Sequence, residues 1–220
     1  MNEAYARSID ILNPKDTKPI NIIGCGSIGS YAAIALGKAG FTRFNLFDGD
    51  AVDVPNIGCQ MFGWEHIGVN KAEALKELLV KFTPVQAEDI KTFPEFVTET
   101  TKLPRLITVF GVDSMAVRKM LWERLKNSIP LLVDGRIGGQ VIRVFTIRND
   151  YAAHKFYETT LYSDEQAVSL PCTQSNVADV GYFVGAMILR ALRRYISDNH
   201  VIMETGLDAG NFITYCTGEE

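Results

Sequence analysis

At 220 residues, with 47% hydrophobic and 22% charged side chains, the chain has the balance of one soluble globular domain over 1–220, large enough to bury a sizeable core without disulfides. A formal charge of −4 argues against a protein that grips a polyanion, which shows as a strongly basic balance or stripe, so no nucleic-acid partner is expected. No run reaches the ~18 apolar residues of a membrane span, Glu3, Arg7 and Asp10 stand where a secretory signal would be apolar, and Cys25, Cys59, Cys172 and Cys216 form no Cys-x-x-Cys pair, so a cytoplasmic chain with no membrane contact and no structural metal is expected.

Short β-rich runs alternating with helical stretches after residue 18 predict parallel strands joined by crossover helices. Strands are expected near 19–24, 43–48, 86–90, 105–110 and 130–134, and helices near 27–39, 70–82 and 114–127. The first strand, Ile20-Asn-Ile-Ile23, runs straight into glycines at 24, 26 and 29. Gly24 permits the tight turn, Gly26 lets backbone approach a phosphate, and Gly29 lets the helix pack closely on the sheet. The helix from about Ser27 then aims its free N–H groups and positive dipole end at an anion. The second strand ends in Asp48, about where a ribose-binding carboxylate belongs. A nucleotide site is the reading.

From Gly139 the pattern changes: Gln140 to Ile147 alternates polar and apolar residues, as a strand with one wet face would. The stretch 150–175 reads as a loop with a short strand or turn. Val177 to Tyr195 has helical spacing, with small Gly181, Gly185 and Ala186 allowing close packing. Val201–Met203 and Phe212–Tyr215 flank Asp208-Ala-Gly-Asn211, a closing hairpin. The fold class is therefore α/β: a Rossmann-like, doubly wound, mostly parallel sheet with additional antiparallel strands in the C-terminal half.

A dehydrogenase reading stops at the glycines and Asp48. The next segment decides between readings, because it runs Asp48-Gly-Asp50-Ala-Val52-Asp53-Val-Pro-Asn56-Ile-Gly-Cys59-Gln60, followed by Gly68-Val-Asn70-Lys71-Ala72. This string resembles the family of ubiquitin-like-protein activators that includes ThiF, MoeB and HesA and the adenylation domains of ubiquitin-activating enzymes. The family's pattern is a glycine loop, then Asp-x-Asp-x-Val, then Asn and an Arg-Gln pair, then Gly-x-x-Lys-Ala, then a strand ending near an Asp. The resemblance covers nearly the whole chain from about residue 18.

The resemblance implies an ATP- and Mg²⁺-dependent adenylyltransferase, a ubiquitin-like modifier activating activity. Its substrate would be the C-terminal tail of a ubiquitin-like or sulfur-carrier-like protein or peptide, and a homodimer is expected. Lys71 is then the phosphate cation, since charge must be neutralised before a carboxylate meets the α-phosphate; its other reading is a surface lysine opening a helix. Asp113, just past a strand and before a helix, holds Mg²⁺ by resemblance, or caps that helix together with Ser114. Asp48 takes the ribose hydroxyls, while Asp50, Asn56 and Gln60 supply a polar loop over the phosphates; Asn56 could equally serve only to make a turn after Pro55. Cys172, in the loop opening the last long helix, is the candidate nucleophile that receives the acyl group, favoured as thiolate by a helix N-terminus.

One residue departs from the pattern. Where the family carries Arg before Gln, this chain has Cys59, and a thiol does not replace a guanidinium clamp. Another arginine takes over (Arg7 and Arg136 are the candidates), the enzyme is slow, or the chain binds without catalysing, as a pseudo-enzyme subunit of a heterodimeric activator. A nicotinamide-dependent oxidoreductase is the remaining alternative, resting on the glycine loop and Asp48 alone.

Overall fold

In a computed structural model, described here for residues 2–7, 9–162 and 178–219, eight strands form one mixed sheet in the order β3-β2-β1-β4-β5-β6-β7-β8. The strands are β1 (Ile20–Ile23), β2 (Phe44–Phe47), β3 (Ile90–Phe93), β4 (Ile107–Phe110), β5 (Leu131–Gly138), β6 (Val141–Arg148), β7 (Ile202–Asp208) and β8 (Ile213–Glu219). The first five run parallel, and β6, β7 and β8 add on antiparallel. Five helices cover the two faces: α1 (Ser27–Ala39), α2 (Lys71–Phe82), α3 (Met115–Leu125), α4 (Tyr151–Glu158) and α5 (Ala178–Asp198).

Strands β1, β2 and β4 are buried on both faces, which explains their near-continuous apolar sequence. Each also carries one polar residue. Asn45 donates to Asn21 Oδ1 at 2.9 Å and Asn21 donates to Thr108 Oγ1 at 3.2 Å, and these residues are direct register partners. A one-residue slip would leave those buried groups unsatisfied, so the ladder pins the register of the central strands.

The core has two halves. Helices α1, α2 and α5 pack one face around Ile22, Leu36, Leu46, Leu75 and Val184, and α3 and α4 pack the other around Phe47, Phe110, Trp122 and Tyr157. Gly181 and Gly185 let α5 lie directly on Tyr31 of α1, as a Cβ at Gly185 would sit 2.9 Å from the Tyr31 carbonyl oxygen. Ala186, expected to share that contact, is exposed.

The expected α/β class stands, with three corrections to its elements. The third strand is 90–93, because polar 87–89 form a 3₁₀ turn before it and Phe93 stacks on Phe47 with ring centroids 4.3 Å apart. Strand β5 extends to Gly138, since it pairs with β6 along its whole length through the Gly139 turn, where φ is +61°. Residues 151–158, read as loop, form α4: the Asp150 carboxylate caps it by accepting the Ala153 N–H at 2.8 Å, and Ala153 and Tyr157, four apart, bury one side. The expected hairpin is present, with Asp208 Oδ1 accepting the N–H groups of Gly210 and Asn211. Among the described residues no helix is long and apolar enough to cross a membrane.

Candidate active site

The strand order reverses between β1 and β4, and the carboxyl ends of β2, β1, β4 and β5 open there onto a cavity of about 530 Å³. This is where open α/β sheets receive ligands. The cavity wall contains Gly24 and Gly26, Asp48 and Asp50, Gln60, Lys71 and Asp113 together.

The glycines divide their labour. Gly24 has φ +88°, and a Cβ there would lie 2.7 Å from the Gly111 carbonyl. Gly29 does not line the cavity; a Cβ on it would overlap the Gly24 carbonyl oxygen and stand 3.1 Å from Ile22 Cγ2, so it seats α1 on the turn. Gly26 faces open space apart from the Gln60 amide, 3.6 Å from where its Cβ would be. As N-cap of α1 it provides no side-chain hydrogen bond, and the start of the helix, the end that favours an anion, opens on the cavity through Ser27 and Ile28.

Asp48 is clamped by two backbone N–H groups, from Cys25 to Oδ2 at 2.6 Å and from Asp50 to Oδ1 at 2.9 Å. Burial raises its pKa, and those N–H bonds and Lys71 only partly pull it back. Asn70 ties this loop to α2: its amide donates to the Asp48 and Asp50 carbonyls, and its Oδ1 accepts from Ala72 and Glu73 as the helix cap. Lys71 is thereby presented at the cavity mouth with its Nζ 2.9 Å from Asp50 Oδ2. Gln60 brings a buried Oε1 that has no hydrogen-bond partner among the described residues.

Asp113 is exposed, lines the cavity, and makes no ion pair among the described residues. Ser114 caps α3, accepting the Val117 N–H at 3.3 Å, so the Asp113 carboxylate remains available. Its oxygens suit a hard cation that takes its other ligands from phosphates and water, as Mg²⁺ does. No group of three or more His, Cys, Asp or Glu able to hold a metal occurs among the described residues.

Other expected site residues lie elsewhere. Asn56 is outside the cavity wall; its Oδ1 accepts the Asp53 N–H at 2.9 Å and closes the 3₁₀ turn, the turn-making alternative. Cys59 also lies off the wall, its thiol against the Pro55 and Asn56 carbonyls. Arg7 is exposed and does not line the cavity. Cys172 falls outside the described residues.

Several wall residues were not singled out by the sequence. Gly111 meets the glycine turn from β4, and Phe96 lies over Gly49, where a Cβ would touch its ring at 2.6 Å. Arg136, one of the two arginines the sequence offered in place of Cys59, does line the cavity, at its opposite end; behind it the fully buried Asp134 accepts hydrogen bonds from Arg118 Nε (2.9 Å), Arg136 Nε (2.7 Å) and Tyr157 Oη (2.9 Å). The signal available was Asp134-Gly-Arg136 at a strand end, an ion pair on one side of a strand at spacing two.

The sequence matches the description of the ThiF family over residues 15–209. It is 30% identical over 127 residues to the tRNA threonylcarbamoyladenosine dehydratase of Escherichia coli, covering 56% of this chain and 47% of that protein. It is 28% identical over 155 residues to SUMO-activating enzyme subunit 2 of Dictyostelium discoideum, covering 64% of this chain and 23% of that one. The chain thus spans less than half the length of these curated relatives. Among solved structures, the fold resembles E. coli MccB with ATP (TM-score 0.69, 15% identity, 99% of this chain and 71% of that one). It also resembles PaaA (TM-score 0.74, 15% identity, 99% and 73%).

Proposed function

The chain belongs to the ThiF family, and on that premise we propose that it is an ATP- and Mg²⁺-dependent adenylyltransferase that activates the C-terminal carboxylate of a ubiquitin-like or sulfur-carrier protein or a peptide. The observation that carries the reading is a single cavity into which the glycine turn, Lys71 and Asp113 all project. An acyl adenylate forms when a carboxylate oxygen bonds to the α-phosphorus and the bond to the β-phosphate breaks, releasing pyrophosphate. Negative charge meets negative charge in that step, so preorganised cations and N–H donors lower the barrier.

In this scheme Asp48 accepts the ribose hydroxyls, and Gly26 and the start of α1 bring N–H groups to the phosphates. The Gln60 amide nitrogen, beside Gly26, donates to the same phosphates. Lys71 exchanges Asp50 for phosphate oxygens, its ammonium already aimed at the mouth. Asp113 holds Mg²⁺, which when bound neutralises phosphate charge. Cys172 is proposed to receive the acyl group. The chain works as one adenylation domain, in a cytoplasmic homodimer. ATP–pyrophosphate exchange, run with ubiquitin-like proteins and peptides ending in a free carboxylate, tests the reading. Exchange that requires Lys71 supports it; ATP binding without exchange favours the non-catalytic subunit that Cys59 suggests.

A further inference from the structure

The cavity has a second charged end. Along the sheet edge the order is β2, β1, β4, β5, which puts Asp48 and the glycine turn on one side of Asp113 and Arg136 on the other. Strands sit about 4.8 Å apart, so Arg136 starts about 14 Å from the β2 end. Lys71 and Gln60 belong to the glycine-turn side, each tied to it, by Asp50 and by the Gly26 neighbourhood. The nucleotide cradle and Arg136 therefore stand at opposite ends of one cavity.

The charge at the β5 end does not balance. Arg118 and Arg136 share one carboxylate, Asp134, and neither makes an ion pair with any other acid among the described residues. Arg118 is 3% exposed and Asp134 0%, and the Arg136 side chain is 10% exposed. Two guanidinium charges against one carboxylate leave a surplus of one positive charge in a largely desolvated wall. An uncompensated buried charge is costly, and an incoming anion removes the cost. Arg118 also reaches the wall, with Nε on Asp134 and Nη2 on the Val112 carbonyl at 2.5 Å, but its side chain is the more deeply buried of the two, 4% exposed against 10% for Arg136. The neighbouring Arg143 is already neutralised by Glu204 at 2.7 Å.

Arg136 is the one held for use. Asp134 fixes its Nε, and Thr160 takes Nη1 through its carbonyl at 2.8 Å and Nη2 through its hydroxyl at 3.0 Å. The Phe145 ring lies 4.3 Å from Cζ. Those bonds take three of the five N–H groups of a guanidinium. Among the described residues the remaining two, one on each terminal nitrogen, are left for an oxyanion that enters the cavity this side chain lines.

Resting on the adenylyltransferase reading, we infer that Arg136, positioned by Asp134 and Thr160, is a carboxylate-binding residue that draws the acyl donor's terminal carboxylate in from the β5 side of the cavity to face the phosphates at the glycine turn. The subsite lets two anions enter one cavity without sharing a cation.

The test is titration of N-acetylglycylglycine and its C-terminal amide by NMR, with and without saturating AMPCPP, against wild type, Arg136→Gln and Arg136→Lys. Wild type is expected to bind the free acid at least tenfold better than the amide. Arg136→Gln should lose at least tenfold for the acid, Arg136→Lys should recover part of that loss, and AMPCPP affinity should stay within twofold in both. Thermal unfolding of Arg136→Lys confirms that the wall persists. Absence of acid binding to wild type, or equal binding by Arg136→Gln, overturns the subsite. A parallel loss of AMPCPP affinity in Arg136→Gln also overturns it and makes Arg136 a phosphate ligand. AMPCPP that fails to bind while the acid still binds through Arg136 overturns the nucleotide reading and leaves the subsite standing.

Discussion

Replacing Gly29 with alanine separates what holds the glycine turn together from what binds there. The added methyl would overlap the Gly24 carbonyl oxygen, with Gly24 C at 3.0 Å and Ile22 Cγ2 at 3.1 Å. The obstacle is backbone, so no side chain can swing aside, and the first turn of α1 must move off β1. Forced repacking of this kind costs about 3 kcal/mol, the upper part of the usual range. Alanine in place of glycine in a helix returns up to about 1 kcal/mol, leaving a net loss of about 2 kcal/mol. With a urea m-value of about 2 kcal/mol/M, the midpoint should fall by about 1 M. Gly26→Ala is the paired control, because its methyl meets only the Gln60 amide at 3.6 Å. Its loss as an N-cap is under about 1 kcal/mol, yet it fills the phosphate approach and should lower ATP affinity at least about tenfold, since about 1.4 kcal/mol of lost contact suffices. Urea unfolding and ATP titration of both variants read the two effects. A Gly29→Ala protein as stable as wild type, or a Gly26→Ala protein that binds ATP normally, would refute this division of roles.

The remaining expectations concern charge. Asp113→Asn should leave stability within about 0.5 kcal/mol, as an exposed change does, while abolishing any tightening of ATP binding by Mg²⁺; Ser114→Ala, which removes the cap of α3, should instead cost about 1 kcal/mol with Mg²⁺ dependence intact. Lys71→Ala should cost under about 1 kcal/mol of stability, because its Asp50 partner is half exposed, yet weaken ATP binding; calorimetry beside urea unfolding compares the two. Burial raises the Asp48 pKa from its ordinary value in the folded chain, so the folded state keeps that proton to higher pH than the unfolded one. Its contribution to stability is complete below the unfolded value and is lost as pH rises through the folded value. Urea midpoints across that acid window should therefore fall more steeply with pH in wild type than in Asp48→Asn, and equal slopes would contradict the raised value.

The parallel half of the fold was legible because its signals are local. Gly24, Gly26 and Gly29 stand between an apolar strand and a helix, and the structure shows the tight turn at Gly24 and the close packing at Gly29, while Gly26 faces open space. Asn70 and Lys71 could be read as a helix start for the same reason. What escaped depended on distant partners. Helix α4 is one short amphipathic turn set whose buried side shows only once Tyr157 finds Asp134 and Trp122. The sequence placed β3 too far toward its amino end because the Ala87–Asp89 turn is marked by no glycine or proline. Asp134 and Arg118 lie 16 residues apart and read as unrelated charges until β5 and α3 bring them within 2.9 Å. Asn56 and Gln60, quoted in one polar loop, part company because the turn spends one amide on its own backbone and aims the other at the cavity.

The central claim is a triphosphate site made by the glycine turn, Lys71 and Asp113. Isothermal titration of ATP with Mg²⁺ and, separately, of NAD tests it most directly in wild type and Lys71→Ala. One saturable ATP site that weakens at least about tenfold in Lys71→Ala, a loss of about 1.4 kcal/mol, with no heat from NAD, is the expected result. Saturable NAD binding with no ATP site would contradict it.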